Sequence, residues 1–297
     1  MTKITIIGAG ELGQALGKVL PAGLHKIVYW DCDEAKLVEL KLDNISLPEA
    51  LLGADFVFLC IPSWRVKEFL AYARPYWPKQ TNLVFLSKGI DSQTGKLPFE
   101  LAGKLLPLGV NWAVVGGAMI AEEIKIGRFG ACLVASKTPA SIEKIIELFR
   151  GTNILALPSR DIKGVVWSGV LKNIYALGLG IAEGLGWTIN ERGLLFAQST
   201  EEILRLIKIL GGKKETFLAV PTLADFVSTS FDNNSLNHQA GIELGQTGST
   251  NKKSEGLASL VPLLDRLGKK ADSFPILKNI AKIIIAREDP KKVFGKY

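Results

Sequence analysis

Two lysines in apolar surroundings are the side chains of this sequence best suited to acid–base chemistry. Lys172 lies within residues 165–175, a run with no other charged side chain. Burial of an ammonium group lowers its pKa toward the range used in general acid–base catalysis, although its flexible stem could instead carry the charge to the surface. Lys88 follows the apolar run 83–86, and open α/β sheets bind ligands at the carboxyl ends of such strands. An ordinary turn lysine is the alternative for Lys88.

Asp225 is a single carboxylate among the apolar residues of 223–226. It could pair with a buried ammonium group or cap a helix, and the sequence leaves both possibilities open. With only His25 and His238 and three scattered cysteines, nothing suggests a Ser–His–Asp set, a disulfide framework or a metal site. We therefore expect no bound metal, and the low cysteine content favours a reduced, cytoplasmic location.

A glycine-rich motif, Gly8-Ala9-Gly10-Glu11-Leu12-Gly13, follows an apolar run and opens a helical pattern. In a dinucleotide fingerprint the first glycine permits a tight turn, the second lets the backbone approach a pyrophosphate, and the third lets helix and strand pack closely. The helix N-terminus then favours the negative charge of the pyrophosphate. The motif predicts a dinucleotide site formed by Gly8, Gly10, Glu11, Leu12 and Gly13.

Asp31 ends the second apolar run, about 20 residues beyond this motif, where a carboxylate binds the adenosine ribose. Because it would repel a 2′-phosphate, we expect NAD rather than NADP as the cofactor. A helix cap before residues 34–40 is the alternative for Asp31.

The order of elements predicts two domains. Nearly continuous apolar runs indicate strands buried on both faces of a mostly parallel sheet with helices on both sides. From residue 162 to 210 and from 254 to 286 the pattern is helical, without convincing strands. We expect a Rossmann-type doubly wound domain over residues 1–158 and an all-helical domain over 159–297. The predicted strands are 4–7, 27–30, 56–59, 83–86, 112–115 and 131–134, and residues 138–150 are a predicted helix.

Composition is typical of a globular enzyme, with 47% hydrophobic and 22% charged residues in 297. Lysine and arginine number 36 against 29 aspartate and glutamate, but no basic stripe is interleaved with aromatic residues, so we expect no nucleic-acid partner. Residues 165–186 are apolar enough to resemble a membrane span, yet they include Lys172 and Glu183, whose charges are costly in hydrocarbon. We expect a buried helix, no membrane span and no targeting segment.

Taken in order, these motifs resemble the NAD(P)-dependent glycerol-3-phosphate dehydrogenase family along nearly the whole chain. The matching segments are residues 7–10, the turn 61–63, Ser87-Lys88-Gly89-Ile90, Gly117 with Ala121 and Glu122, Leu171-Lys172-Asn173, residues 223–226, Ser235 to Asn237 followed by Gly241, and Ser254-Glu255-Gly256.

The resemblance implies reversible hydride transfer between a nicotinamide and C2 of dihydroxyacetone phosphate, which yields glycerol 3-phosphate. It makes Lys172 the general acid and base, Lys88 the group that polarises the developing alkoxide, and Asp225 the carboxylate that holds a lysine in position. Fold analogy adds the expectation of a homodimer. Further cofactor residues implied are Pro62, Lys88, Ala121 and Glu255, and the implied substrate residues are Lys88, Gly117, Lys172, Asn173, Asp225, Ser235 and Asn237.

One departure from the family pattern bears on the substrate. Leu236 stands where the family has an arginine, which removes a forked donor suited to a phosphate group. We expect His238, Asn233 or Asn234 to compensate. Two alternatives stay open: a related dehydrogenase acting on another 2-keto compound, and a catalytically silent nucleotide-binding regulator.

Overall fold

One seven-stranded sheet organises the first half of the molecule, in the order β2-β1-β3-β4-β5-β6-β7. The computed structural model describes residues 1–21 and 23–295. Neighbouring strands are parallel except β5 and β6, which pair antiparallel. The strands are β1 (Thr2–Ile7), β2 (His25–Trp30), β3 (Phe56–Leu59), β4 (Asn82–Phe85), β5 (Asn111–Gly116), β6 (Gly130–Ala135) and β7 (Ile154–Ser159).

All six predicted strands are present, and the mostly parallel doubly wound sheet is confirmed. The sequence prediction missed the seventh strand, β7, which lies at one edge of the sheet and pairs only with β6. It is only partly buried and contains Pro158, a residue that edge strands tolerate. Residues 154–157 are continuously apolar like the predicted strands, but the proline that follows them disfavours a strand assignment.

Both faces of the sheet are covered, which explains those continuous runs. In β3, Phe56 and Phe58 belong to one buried cluster, whereas Val57 and Leu59 belong to another on the opposite face. The helices of this half are α1 (Glu11–Val19), α2 (Glu34–Glu39), α3 (Leu47–Leu51), α4 (Ser63–Ala73), α5 (Pro98–Leu105), α6 (Ala121–Lys125) and α7 (Pro139–Leu148). The predicted helix at 138–150 corresponds to α7.

The second half is helical throughout the part described, as predicted. The last strand ends at Ser159 and the next helix begins at Ile162, while a domain division at residue 158 stays a prediction. The helices are α8 (Ile162–Gly184), α9 (Ile189–Ile209), α10 (Lys214–Leu218), α11 (Val220–Phe231), α12 (Leu236–Thr247), α13 (Glu255–Leu267), α14 (Pro275–Ile284) and α15 (Pro290–Phe294).

Helix α8 is the central element of the helical half. Its length and composition would suit a membrane span, but its most apolar 18-residue window is entirely buried inside the protein. Helices α9, α11, α12, α13 and α14 pack around it, and it also contacts β5 of the sheet. This helix therefore lies between the sheet and the rest of the helical half, and it carries Lys172 and Asn173 at its middle.

Helices α8 and α12 cross at backbone contact through paired glycines. A Cβ atom on Gly180 would lie 2.2 Å from the carbonyl oxygen of His238, and one on Gly241 would lie 2.3 Å from that of Leu177. Gly184 and Gly245 form a second such pair, one turn further along. Because rigid backbone occupies this space, only glycine permits the observed separation of the two helices.

We predict that Gly180→Ala lowers the free energy of unfolding by at least about 2 kcal/mol, since the methyl group must push the two helices apart. Gly193→Ala is the control, because its position in α9 is exposed and a Cβ atom there meets nothing within 4 Å. That change should stabilise the protein by about 0.5–1 kcal/mol through reduced chain entropy. Urea unfolding measures both, and equal effects would contradict the packing argument.

Candidate active site

The glycine-rich loop after β1 has the geometry of a dinucleotide fingerprint. Gly8 adopts φ +100°, and a Cβ atom there would lie 2.6 Å from the carbonyl oxygen of Cys60, the residue that follows the neighbouring strand β3. A Cβ atom on Gly13 would lie 2.0 Å from the carbonyl oxygen of Gly8, so α1 packs directly on the loop. Around Gly10, at the start of α1, a Cβ atom would meet only the Lys36 Nζ atom, at 3.8 Å. The backbone at Gly10 is therefore open to a ligand.

A cleft of about 1230 Å³ extends from this loop along the carboxyl ends of the parallel strands. It lies where the strand order reverses between β1 and β3, the usual ligand position in open α/β sheets. The predicted residues that line it are Gly8, Gly10, Leu12, Asp31, Pro62, Lys88, Asn173 and Glu255.

Three predicted cofactor residues do not line this cleft. Glu11 is exposed, with its carboxylate 3.8 Å from the Lys125 Nζ atom. Gly13 is buried under the loop, and Ala121 packs against the apolar cluster beneath it. Contact of these three residues with a ligand stays a prediction.

Asp31 lies at the rim of the cleft with its carboxylate oriented toward the loop. Its Oδ2 atom accepts a hydrogen bond from the Ala9 N–H group at 2.8 Å, and Oδ1 accepts one from the Asp33 N–H group at 3.1 Å. The residue that caps α2 is Asp33, which accepts from the Lys36 N–H group. The capping alternative for Asp31 is therefore wrong.

Several aromatic residues of the cleft were absent from the sequence prediction. The Trp30 ring lies 5.8 Å from the Phe69 ring and 6.3 Å from the Tyr72 ring, measured between centroids. Trp64 and Arg65 also line the cleft. Their positions in the sequence could have indicated them, because Trp30 directly precedes Asp31 and Trp64 directly follows the predicted turn at 61–63.

Lys88, Lys172 and Asp225 come together as one charged group behind the cleft. Asp225 Oδ2 accepts a hydrogen bond from Lys88 Nζ at 2.7 Å, and Oδ1 accepts one from Lys172 Nζ at 2.9 Å. Side-chain exposure is 20% for Lys88 but only 7% for Lys172 and for Asp225. Lys88 is thus the ammonium that faces the cleft, with the buried pair behind it.

Burial and mutual charge set the protonation of this group. Burial lowers the pKa of Lys172 to about 8, although the neighbouring Asp225 carboxylate opposes the shift. Burial alone would raise the pKa of Asp225, but the Lys172 and Lys88 ammonium groups together hold it below its ordinary value. The carboxylate is therefore ionised at neutral pH, and Lys172 can exchange a proton near that pH.

The segment that carries Lys88 is bound to the helical half at several points. The Lys88 carbonyl oxygen accepts from the Asn173 side chain at 3.1 Å, while Lys88 Nζ donates to the Gly117 carbonyl oxygen at 2.8 Å. The Asn237 side chain donates to Asn173 Oδ1 at 3.0 Å and accepts from the Gly256 N–H group at 2.9 Å. Gly117, Asn173 and Asn237 therefore belong to the same hydrogen-bond network as Lys88.

Two findings alter the predicted residue set. Thr229 was missed, although its hydroxyl accepts from Lys172 Nζ at 2.5 Å; it lies one helical turn after Asp225, a spacing that could have revealed it. Ser235, in contrast, caps α12 by accepting from the His238 N–H group. Its hydroxyl thus has a structural partner, and its contact with a substrate stays a prediction.

Leu236, at the start of α12, is 55% exposed. The buried His238 ring does not compensate for the absent arginine, since its Nε2 atom lies 3.1 Å from the Glu183 carboxylate inside the helical half. Asn233 and Asn234 are exposed, and their role stays a prediction. Across residues 1–21 and 23–295, no three His, Cys, Asp or Glu side chains are grouped as metal ligands.

The glycine loop lies where the strand order of a Rossmann sheet reverses, and the helical half supplies a buried lysine. This combination is typical of nucleotide-dependent oxidoreductases with two domains. Comparison with known proteins agrees. The models described as NAD-dependent glycerol-3-phosphate dehydrogenase N-terminus and C-terminus match residues 44–142 and 161–295. A model described as NADP oxidoreductase coenzyme F420-dependent matches residues 3–84.

Individual relatives cover most of the chain. It is 31% identical to the NAD(P)+ glycerol-3-phosphate dehydrogenase of Bartonella henselae, over 82% of this chain and 77% of the relative. Identity to that of Dehalococcoides mccartyi is 30%, over 100% and 90%. The crystal structure of glycerol-3-phosphate dehydrogenase from Coxiella burnetii superimposes with a TM-score of 0.91 at 26% identity, covering 99% and 98%. The chain belongs to the NAD-dependent glycerol-3-phosphate dehydrogenase family.

We predict that Asp225→Asn lowers the free energy of unfolding by about 3–5 kcal/mol, because it leaves two ammonium groups close together without their shared counter-charge. Asp272→Asn is the matched control, since Asp272 pairs with Lys278 at 3.1 Å on the exposed surface. That change should cost less than about 1 kcal/mol. Urea unfolding at pH 7 distinguishes them, and a small effect for both would mean that Asp225 is not ionised.

Proposed function

We propose that this protein is an NAD-linked glycerol-3-phosphate dehydrogenase that interconverts dihydroxyacetone phosphate and glycerol 3-phosphate. The observation that carries the proposal is the Lys88–Asp225–Lys172 group, in which Lys88 lines the cleft that begins at the glycine loop and the Asp225–Lys172 pair lies directly behind it. Membership of the family supports the activity, and the cleft supports a dinucleotide cofactor.

The residues of the cleft fit a dinucleotide. The open backbone at Gly10 and the N-terminus of α1 suit a pyrophosphate, Asp31 suits the ribose hydroxyls, and the ring of Trp30 suits the adenine side. When bound there, the nicotinamide supplies the hydride that reaches C2 of the ketone. The same Asp31 carboxylate disfavours a 2′-phosphate, so we expect NADH to be preferred over NADPH.

The three charged residues divide the acid–base work. Lys172 donates a proton to the carbonyl oxygen during reduction and removes it from the alcohol during oxidation. Lys88, which faces the cleft, stabilises the negative charge that develops on that oxygen, a charge larger in the transition state than in the ground state. Asp225 orients both ammonium groups and supplies the negative charge that offsets part of their mutual repulsion.

A pH profile tests the role of Lys172. Reduction requires the protonated amine, so kcat for ketone reduction should be flat near pH 6–7 and fall as pH rises through about 8. Oxidation requires the neutral amine, so its kcat should rise through the same range. Lys172→Arg, whose side chain stays protonated, should abolish both limbs and lower kcat at least about 100-fold. Unchanged profiles in that variant would exclude Lys172 as the acid and base.

Substrate identity is tested by following NADH consumption with dihydroxyacetone phosphate, unphosphorylated dihydroxyacetone or other 2-keto compounds, and by repeating the assay with NADPH. The proposal expects rapid turnover only with the phosphorylated ketone and NADH. If dihydroxyacetone phosphate is not reduced although NADH binds, the proposed substrate is wrong.

One observation favours a second candidate, a dehydrogenase that acts on another 2-keto compound. The exposed and apolar Leu236 offers no donor to a phosphate group. In that case a substrate without a phosphate should be turned over faster by the natural protein, and Leu236→Arg should shift the preference toward dihydroxyacetone phosphate.

A homodimer and a cytoplasmic location are further expectations for a protein of this family.

A further inference from the structure

A carboxylate of the helical half caps a helix of the nucleotide-binding half. Glu255, the first residue of α13, accepts hydrogen bonds from both donors of Ser63, the first residue of α4. The Ser63 N–H group lies 2.9 Å from Oε1, and the Ser63 hydroxyl lies 2.5 Å from Oε2. Helix α4 has no cap of its own, because the preceding residue is Pro62. The carboxylate places a negative charge at the N-terminus of α4, where the helix dipole favours it. Because Glu255 lies in the helical half, the contact also joins the two halves of the molecule.

Gly89 is enclosed by this pair. A Cβ atom on Gly89 would lie 1.9 Å from Glu255 Oε2 and 2.3 Å from the Ser63 hydroxyl oxygen. Gly89 directly follows Lys88, and the next residue, Ile90, donates its N–H group to the Ser259 hydroxyl at 3.1 Å. The position of the Lys88 segment is therefore determined by the Ser63–Glu255 contact on one side and by α8 and α13 on the other.

The contact is partly buried, at the wall of the cleft. Ser63 is fully buried. Burial raises the pKa of Glu255, and the two hydrogen bonds from Ser63 offset part of that shift. Without the hydroxyl, the partly buried carboxylate would lose one of its two donors and would be less restrained beside Gly89. Because Gly89 is bonded directly to Lys88, a shift of Gly89 would also displace Lys88.

We infer that Ser63 is a positioning residue for the reaction: by holding the Glu255 carboxylate against Gly89, it fixes the Lys88 ammonium group at the cleft and keeps the helical half closed on the cofactor site. This inference rests on the proposed function for its kinetic consequence. Its structural consequence, tight closure around a dinucleotide, is independent of which ketone is reduced.

The first test compares Ser63→Ala with Thr188→Ala. Thr188 makes the same two bonds, from its N–H and hydroxyl groups to the Glu191 carboxylate, but within the first turn of α9. Both variants lose one hydroxyl–carboxylate bond. Ser63→Ala should lower kcat about tenfold and weaken NADH binding at least about fivefold, because sub-ångström displacement of a polarising group costs rate. Thr188→Ala should change neither by more than about twofold.

The second test asks whether Ser63 acts through Glu255. Ser63→Ala should slow the natural protein but have no further effect in a Glu255→Ala background, where the carboxylate is already absent. Equal slowing in both backgrounds would overturn the proposed connection.

NADH affinity, followed by tryptophan fluorescence at a temperature where every variant is folded, separates the two hypotheses. If the natural protein reduces no triose phosphate, the proposed function fails, yet weaker NADH binding by Ser63→Ala alone would still support the positioning role. If Ser63→Ala matches Thr188→Ala in both kcat and NADH affinity, Ser63 is a structural cap only and the inference is wrong.

Discussion

The arrangement of this protein depends on one buried carboxylate that binds two ammonium groups. Asp225 accepts from Lys88 on one oxygen and from Lys172 on the other. Burial of the Lys172 ammonium group without a partner would be costly, because desolvation of an ion costs several kcal/mol. The carboxylate must itself be kept ionised, and the two cations achieve that. The three residues are therefore stable in this position only as a set.

The three members come from distant parts of the chain, so the fold must bring them to one point. Lys88 follows a central strand, Lys172 lies at the middle of α8, and Asp225 lies on α11. The close crossing of α8 with α12 places Asn237 against Asn173, and Asn173 in turn binds the backbone of Lys88. The glycines at that crossing thus contribute to the site although none of them lines the cleft. The Ser63–Glu255 contact lies beside the same segment, on the side of the cleft.

Much of this could be predicted from sequence because the relevant signals are local. Continuous apolar runs indicated strands β1 to β6, and the glycine loop indicated the dinucleotide site. Two features of the sheet could not be predicted from the sequence. Residues 154–157 of edge strand β7 are apolar, but Pro158 follows them and disfavours a strand assignment. The antiparallel direction of β6 leaves no trace in a strand that is buried at every position.

At the candidate site, the residue types were predictable but their connections were not. The sequence left open whether Asp225 pairs with a lysine or caps a helix, and only the three-dimensional arrangement shows that it binds two. Asn173 and Asn237, expected to bind substrate, use their amide groups to bind each other and the backbone. The contact of Ser63 with Glu255 joins residues 192 positions apart, a separation at which local patterns carry no information.

The central claim is that Lys172 is a buried ammonium group that releases its proton near neutral pH because Asp225 compensates only part of its desolvation. The most direct measurement is an NMR titration of lysine side chains labelled with ¹³C at the ε carbon, with Lys172→Arg used to assign the resonance. The account predicts that the Lys172 signal titrates at about pH 8, whereas surface lysines titrate at about 10.4. A Lys172 signal that titrates together with the surface lysines would contradict the account.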